Sequence, residues 1–294
     1  MRPRVPGRRL RLVILGGIGL LAVGVLVILS TPRLRQQWLG MVWSVIPKPP
    51  ARALAIPPRS EPPPPLSGRR IHIPSADAEG RVVVPVTDAA PRELPSEGVP
   101  FGWDVKEFSG HAGIDLMRVD GRLAVRLRTE KSAFALFRDV IVDPAQTPYL
   151  TWSWKVTRLP EAGDAREPAR NDQAAGIYVV FPRWPSPRTA SDVLGYVWDT
   201  QAPVGTRGTS ARAANIRFLV VESGRSSSDG WRRTQRNVAV DYAAVFGRPA
   251  PRIGKIALAA DTDDTGTASE AFVGTLIFSR TRWSGMENAR IMLR

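Results

Sequence analysis

From Leu150 the side chains alternate. Leu150, Trp152, Trp154 and Val156 fall on one side of an extended chain, and Thr151, Ser153 and Lys155 on the other. A period of two belongs to a strand with one face in the core, and it predicts Trp152 and Trp154 as core residues. The same alternation recurs at Leu123, Val125 and Leu127, with Arg122, Arg126 and Arg128 opposed to them. Further strand-length runs follow at SAFALFRDVIVD, Gly176 to Phe181, Val193 to Asp199, Asn215 to Glu222, Arg236 to Val240, Lys255 to Ala260 and Ala271 to Phe278. Only Asp241 to Gly247, DYAAVFG, reads as a turn or two of helix closed by glycine. About nine short strands with turn residues between them predict an antiparallel β-sandwich of the jelly-roll kind over residues 99–294.

The first hundred residues follow a different pattern. Leu12 to Leu29 contains no charged or strongly polar side chain, and five arginines precede it. At 1.5 Å per residue the run spans roughly 27 Å, enough to cross a bilayer with help from its flanks. The arginine bias places the N-terminus in the cytoplasm and the body outside it. A cleaved signal peptide is the competing reading, but the exit sequence ILSTPRLRQQW lacks a small-x-small site, which favours an uncleaved anchor. The expected organisation is therefore a basic arm at 1–11, a transmembrane signal anchor at 12–29, a juxtamembrane and proline-rich linker at 30–98, and the sandwich at 99–294. Two pieces of the linker, Ile71–Ile73 and Arg81–Val86, are β-like but broken by Pro74 and Pro85, so they are edge strands at best.

Charge alters this picture little. The chain of 294 residues carries +14, but residues 1–70 hold twelve of the 41 Lys and Arg and a single acid, Glu61. The remainder is near neutral, so the basicity belongs to the arm and linker, and nucleic acid is not an expected partner. The lack of cysteine excludes disulfides, thiolate metal sites and a cysteine nucleophile.

Candidate chemistry is sparse. A hydrolytic triad or a histidine zinc site needs histidines, and the chain has only His72 in the linker and His111 in a loop. Carboxylates at strand ends, Asp172, Asp199, Asp241, Asp261, Asp263 and Asp264, are the alternative, and a suitably spaced pair of them could act on a glycosidic bond. In DTDDTGTASEAF, Asp261, Asp263, Thr265 and Gly266 match the opening of a calcium loop, but Phe272 stands where the bidentate glutamate belongs. An EF-hand is excluded. No cofactor is expected, and a structural calcium held by Asp261 and Asp263 is the one metal the sequence suggests. Tyr178 opposes Ile177, Val179 and Phe181 and so points to the wetter face, while Tyr196 and Trp198 share a parity. Tyr178 and Trp198 are the aromatic residues expected to face a ligand.

The ordered series YLTWSWKV, NDQAAGIYVVF, LGYVWDTQAPVGT, Asn215 with VVESG, DYAAVFG and IALAADTDDTGTASEAFVGTLIF resembles the bacterial domain-of-unknown-function family 3047 (DUF3047) over residues 101–278. The resemblance implies a β-rich envelope domain of galactose-binding-like shape and no established activity. Asn171–Asp172 departs from the two adjacent acids expected there. The combined expectation is a protein of the bacterial inner membrane, single-pass, with its body periplasmic. That body would be a non-catalytic module binding a glycan or other envelope polymer through Asp172, Tyr178, Trp198, Asn215, Asp261 and Asp263. A carboxylate-based glycan-acting enzyme and an assembly platform binding other envelope proteins are the alternatives.

Overall fold

The apolar runs become strands of two facing sheets in the computed structural model, which describes residues 72–183, 191–210, 213–225 and 230–283. The expected membrane anchor, Leu12 to Leu29, lies outside the described residues. Among those described, no helix is long and apolar enough to cross a membrane.

In chain order the strands are β1 (Val82–Val84), β2 (Ser96–Glu97), β3 (Asp104–Ser109), β4 (Gly113–Val119), β5 (Arg122–Glu130), β6 (Ala133–Val142) and β7 (Tyr149–Arg158). There follow β8 (Gln173–Phe181), β9 (Asp192–Asp199), β10 (Arg207–Thr209), β11 (Ile216–Ser223) and β12 (Arg232–Asn237). The helix α1 (Val238–Phe246) then precedes β13 (Ile253–Asp261), β14 (Ala268–Val273) and β15 (Leu276–Ser279). The eight-stranded sheet runs β1, β15, β7, β14, β5, β4, β2, with β12 also paired to β7. Thr151 pairs with Ile277 and Trp154 with Val273, and both also pair with β12, so β14 and β15 lie end to end along one edge of β7 and β12 takes the other. The seven-stranded sheet runs β10, β11, β9, β8, β13, β6, β3. The pairing of β9 with β11 is parallel. Residues 200–215 supply the long connection a parallel pair needs.

Alternation fills the space between the sheets. Leu150, Trp152 and Trp154 have no exposed surface, as expected from their shared parity, and meet Tyr196 and Trp198 of β9, which are also buried. Ring centroids lie 5.4 Å apart for Trp152–Trp154 and for Trp152–Tyr196, and 5.5 Å for Trp154–Trp198. Such pairs add about 0.5–1.5 kcal/mol each beyond the area they bury.

Two expectations need correcting. Arg236 to Val240 was expected as strand, but β12 ends at Asn237, whose side chain accepts the Val240 N–H at 3.1 Å and caps α1. Gly247 closes the helix at φ 69, as DYAAVFG predicts. Secondly, the last part of the expected linker belongs to the body. β1 is an edge strand on β15, and Val82, Val84 and Val86 are buried. Arg138, itself 2 % exposed, holds this segment: it donates to the Asp88 carboxylate at 2.5 Å, to the Pro85 carbonyl at 3.4 Å and to the His72 carbonyl at 3.3 Å.

Arg138→Met removes the charge-assisted hydrogen bonds to Asp88 and to two carbonyls and is expected to lower stability by about 2 kcal/mol. Urea denaturation measures the loss, and limited proteolysis should show new cleavage between residues 72 and 88. An unchanged midpoint with an intact segment would show that Arg138 does not hold it.

Candidate functional site

With Ile177, Val179 and Phe181 committed to the core, the intervening Tyr178 and Val180 of β8 point away from it. Register carries that outward face across the sheet. Tyr178 lies opposite Ala257 of β13 and Gly195 of β9, Ala257 lies opposite Phe137 of β6, and Gly195 lies beside Phe218 of β11. Tyr178, Ala257, Phe137 and Phe218 line a groove of about 340 Å³.

Small residues shape its floor. A Cβ on Gly176 would sit 2.5 Å from one edge of the Tyr178 ring, and a Cβ on Gly195 would sit 2.6 Å from the other. The ring therefore rests over two glycines. Ala257 and Ala259 continue the low floor beside it, and Phe108, 55 % exposed on edge strand β3, stands at the rim.

Polar groups gather in one corner. Asp261 lies opposite Gln173, so the acid and the amide are neighbours across the strand pair. The Tyr178 hydroxyl donates to Gln173 Oε1 at 2.7 Å, and Gln173 Nε2 donates to the Asn171 carbonyl at 3.2 Å and to Asn171 Oδ1 at 3.0 Å. Burial, and then Asp263 beside it, pushes the Asp261 carboxyl up to about 8, so it keeps its proton at neutral pH. Burial, followed by the charge of Asp261, also raises the Tyr178 phenol.

The loop after β13 is pinned by Asp172, which is fully buried. Its Oδ1 accepts the Asp264 N–H at 3.1 Å, and its Oδ2 accepts the Thr265 N–H at 2.7 Å and the Thr265 hydroxyl. Carboxylate oxygens of Asp172, Asp263 and Asp264 lie within 4.8 Å of one another, so these three, rather than Asp261 and Asp263, are the set a cation would meet. Three donors already on Asp172 explain its burial without an ion.

The residues expected as a ligand site thus divide. Tyr178 and Asp261 line the polar corner, Asp263 contacts Asp261 from the following loop, and the buried Asp172 holds that loop without lining the groove. Trp198 does not face the groove: it is 1 % exposed, packs on Trp154 and donates its indole N–H to the Gly224 carbonyl at 2.9 Å. Asn215 precedes β11 at the opposite end, where its amide donates to the Ser191 carbonyl at 2.5 Å. Asp199 accepts the N–H groups of Ala165, Gln201 and Ala202 and ties two loops down, and Asp241 pairs with Arg236 and accepts from Tyr196. The loop residues Ala165 and Ala202 pack with Val197, Val220 and Phe218 in a second apolar cluster, against which Tyr178 lies. His111 is exposed, 3.6 Å from Glu107. Sequence reasoning missed Gln173, Phe137 and Phe218. The alternation of Ala and Phe in AFALF was a signal for Phe137 alone.

The family described as "Protein of unknown function (DUF3047)" matches residues 101–277. No curated protein matches the chain. Among solved structures, the endoglucanase cel12A from Rhodothermus marinus aligns at 9% identity and a TM-score of 0.36, over 64% of this chain and 100% of that one. CBM29_1, a family 29 carbohydrate binding module from Piromyces equi, aligns at 8% identity and a TM-score of 0.31, over 72% of this chain and 98% of that one. The enzymatically active domain of bacteriophage CBA120 tailspike protein 4 aligns at 11% identity and a TM-score of 0.32, over 60% of this chain, which spans 19% of that protein's length. At these TM-scores the likenesses carry no argument about function.

The raised Asp261 carboxyl makes stability depend on pH. The folded protein holds this proton to about pH 8, whereas an unfolded aspartate releases it near 4. The folded state binds more protons between those limits, so stability falls as pH rises from about 4 to about 8. Asp261→Asn should remove this fall, read as the change in urea midpoint between pH 5 and pH 8.5. Parallel profiles for the two proteins would place the proton elsewhere.

Proposed function

The chain belongs to the family described as protein of unknown function DUF3047, and from that premise we propose that its body is a non-catalytic binding module for a glycan or other envelope polymer. The observation that carries the reading is the Tyr178 ring. Seated over Gly176 and Gly195, it offers an aromatic surface beside the hydrogen-bonding groups of Gln173, Asn171 and Asp261. A pyranose has an apolar face of C–H groups and an equatorial edge of hydroxyls, and this pairing of ring and polar corner suits both. A protonated Asp261 donates where Gln173 accepts, so the corner can meet both kinds of hydroxyl lone pair and proton.

The sandwich is read as a jelly-roll variant. The run from Leu12 to Leu29 anchors it in the inner membrane, with the arginine-rich arm in the cytoplasm and the body periplasmic.

One observation favours a second reading, a carboxylate-based glycan-acting enzyme. Asp261 keeps its proton near neutral pH, as a general acid must. Its partner acid, Asp263, is in side-chain hydrogen-bond contact with it. Glycosidase carboxylates instead face each other across roughly 5–9 Å with the scissile bond between them. Binding is therefore the preferred reading.

The test is a saccharide panel read by thermal shift and calorimetry on the full chain in nanodiscs. Tyr178→Ala should weaken the best saccharide about fivefold or more, a loss of ~1 kcal/mol of stacking. Tyr178→Phe should keep most of the affinity. Equal binding to wild type and Tyr178→Ala would reject the ring as the platform, and release of shortened saccharide by wild type but not by Asp261→Asn would favour the enzyme.

A further inference from the structure

The groove is not uniformly suited to a polyhydroxylated ligand. Gln173 and Asp261 are cross-strand partners at one end of the outward face. Six residues further along β13, Lys255 lies opposite Val180, which lies opposite Val193, which lies opposite Ile216. At about 3.3 Å per residue this places an apolar row roughly 20 Å from Asp261. Between the two, Ala257, Phe137 and Phe218 flank Tyr178. Among the described residues, the polar groups near the apolar end have partners, and the Asn215 amide donates to the Ser191 carbonyl. Ser210 donates its backbone N–H to the Ile216 carbonyl, and Lys255 is paired with Asp139.

A saccharide filling the whole length would press hydroxyls against Val180, Val193 and Ile216. Each hydroxyl buried without a partner costs about 1–3 kcal/mol. Apolar substituents reverse the sign there, because each methylene removed from water is favourable. A volume of about 340 Å³ holds one ring and a short chain, not an oligosaccharide lying along the sheet.

Resting on the binding-module reading above, we propose that the ligand of this groove is amphipathic: a saccharide bearing an acyl, alkyl or aryl substituent. The sugar lies over Tyr178 with its hydroxyls toward Gln173 and Asp261, and the substituent lies along Val180, Val193 and Ile216. Ligands of this class occur where a polar glycan is joined to an apolar chain, so the groove reads the junction rather than the polymer.

The test compares methyl, butyl and hexyl β-glucosides, and hexanol, by calorimetry on the full chain in nanodiscs, with empty nanodiscs as blank. Affinity should rise about fourfold for each methylene from methyl to butyl and continue toward hexyl. Val193→Ser and, independently, Ile216→Ser should flatten that rise, lowering hexyl glucoside affinity several-fold more than methyl glucoside affinity, so a folding failure in one variant does not remove the test. Equal affinity for the three glucosides would overturn the amphipathic proposal and leave the saccharide reading standing. Hexanol binding as tightly as hexyl glucoside would overturn both, since the sugar would then contribute nothing. No binding of any of the four would overturn the proposal as well.

Discussion

Trp152 and Trp154 of β7 meet Tyr196 and Trp198 of β9 at centroid distances of 5.4 to 5.5 Å, and the rest of the arrangement depends on that contact. Four large rings fix how far apart the sheets stand and which parity of each strand is interior. Once β8 has committed Ile177 and Val179 to the same space, Tyr178 has only the outer face. The contact is not free of cost: among the described residues the indole N–H groups of Trp152 and Trp154 have no hydrogen-bond partner, a penalty of about 1–3 kcal/mol each. Burial of four aromatic side chains, and the edge-to-face geometry among them, offsets it.

On the outer face the constraint is steric rather than attractive. Gly176 and Gly195 leave room for a ring where any side chain would collide with it. Asp172 fixes the loop that begins at Asp261, so the surroundings of the groove's acid are set by a residue 89 positions earlier. Site and fold are in this sense one network: the loop is held by a fully buried carboxylate, and the acid it positions keeps its proton because it is itself shielded from water.

Much of this was legible in the sequence where a strand has one wet face. Parity placed Trp152 and Trp154 inside and Tyr178 outside because β7 and β8 alternate cleanly at those positions. It failed for Trp198, since β9 is buried on nearly every residue and a strand covered on both sides carries no alternation to read. The loop from Asp261 looked like a cation site because its acids are adjacent in sequence. Only the fold shows that Asp172 answers them. Gln173 and Phe218 could not be assigned to the groove before the register of β8, β9 and β11 was known, and the small residues of its floor have meaning only beneath a particular ring. The stretch from His72 to Val86 read as spacer because prolines interrupt it, and it is attached to the body by the pairing of β1 with β15, by the buried Val82, Val84 and Val86 and by one distant arginine.

That arginine also decides how load enters the molecule. Proceeding from His72, the chain reaches the Arg138 guanidinium before it reaches any strand, and the Pro85 carbonyl and the Asp88 carboxylate converge on the same group. Tension applied through the residues before His72 is therefore taken up first by a side-chain clamp at the end of the core. Arg138 stands on β6 opposite Ile256 of β13, so that load passes into the same strand pair that carries Phe137 and Ala257 of the groove.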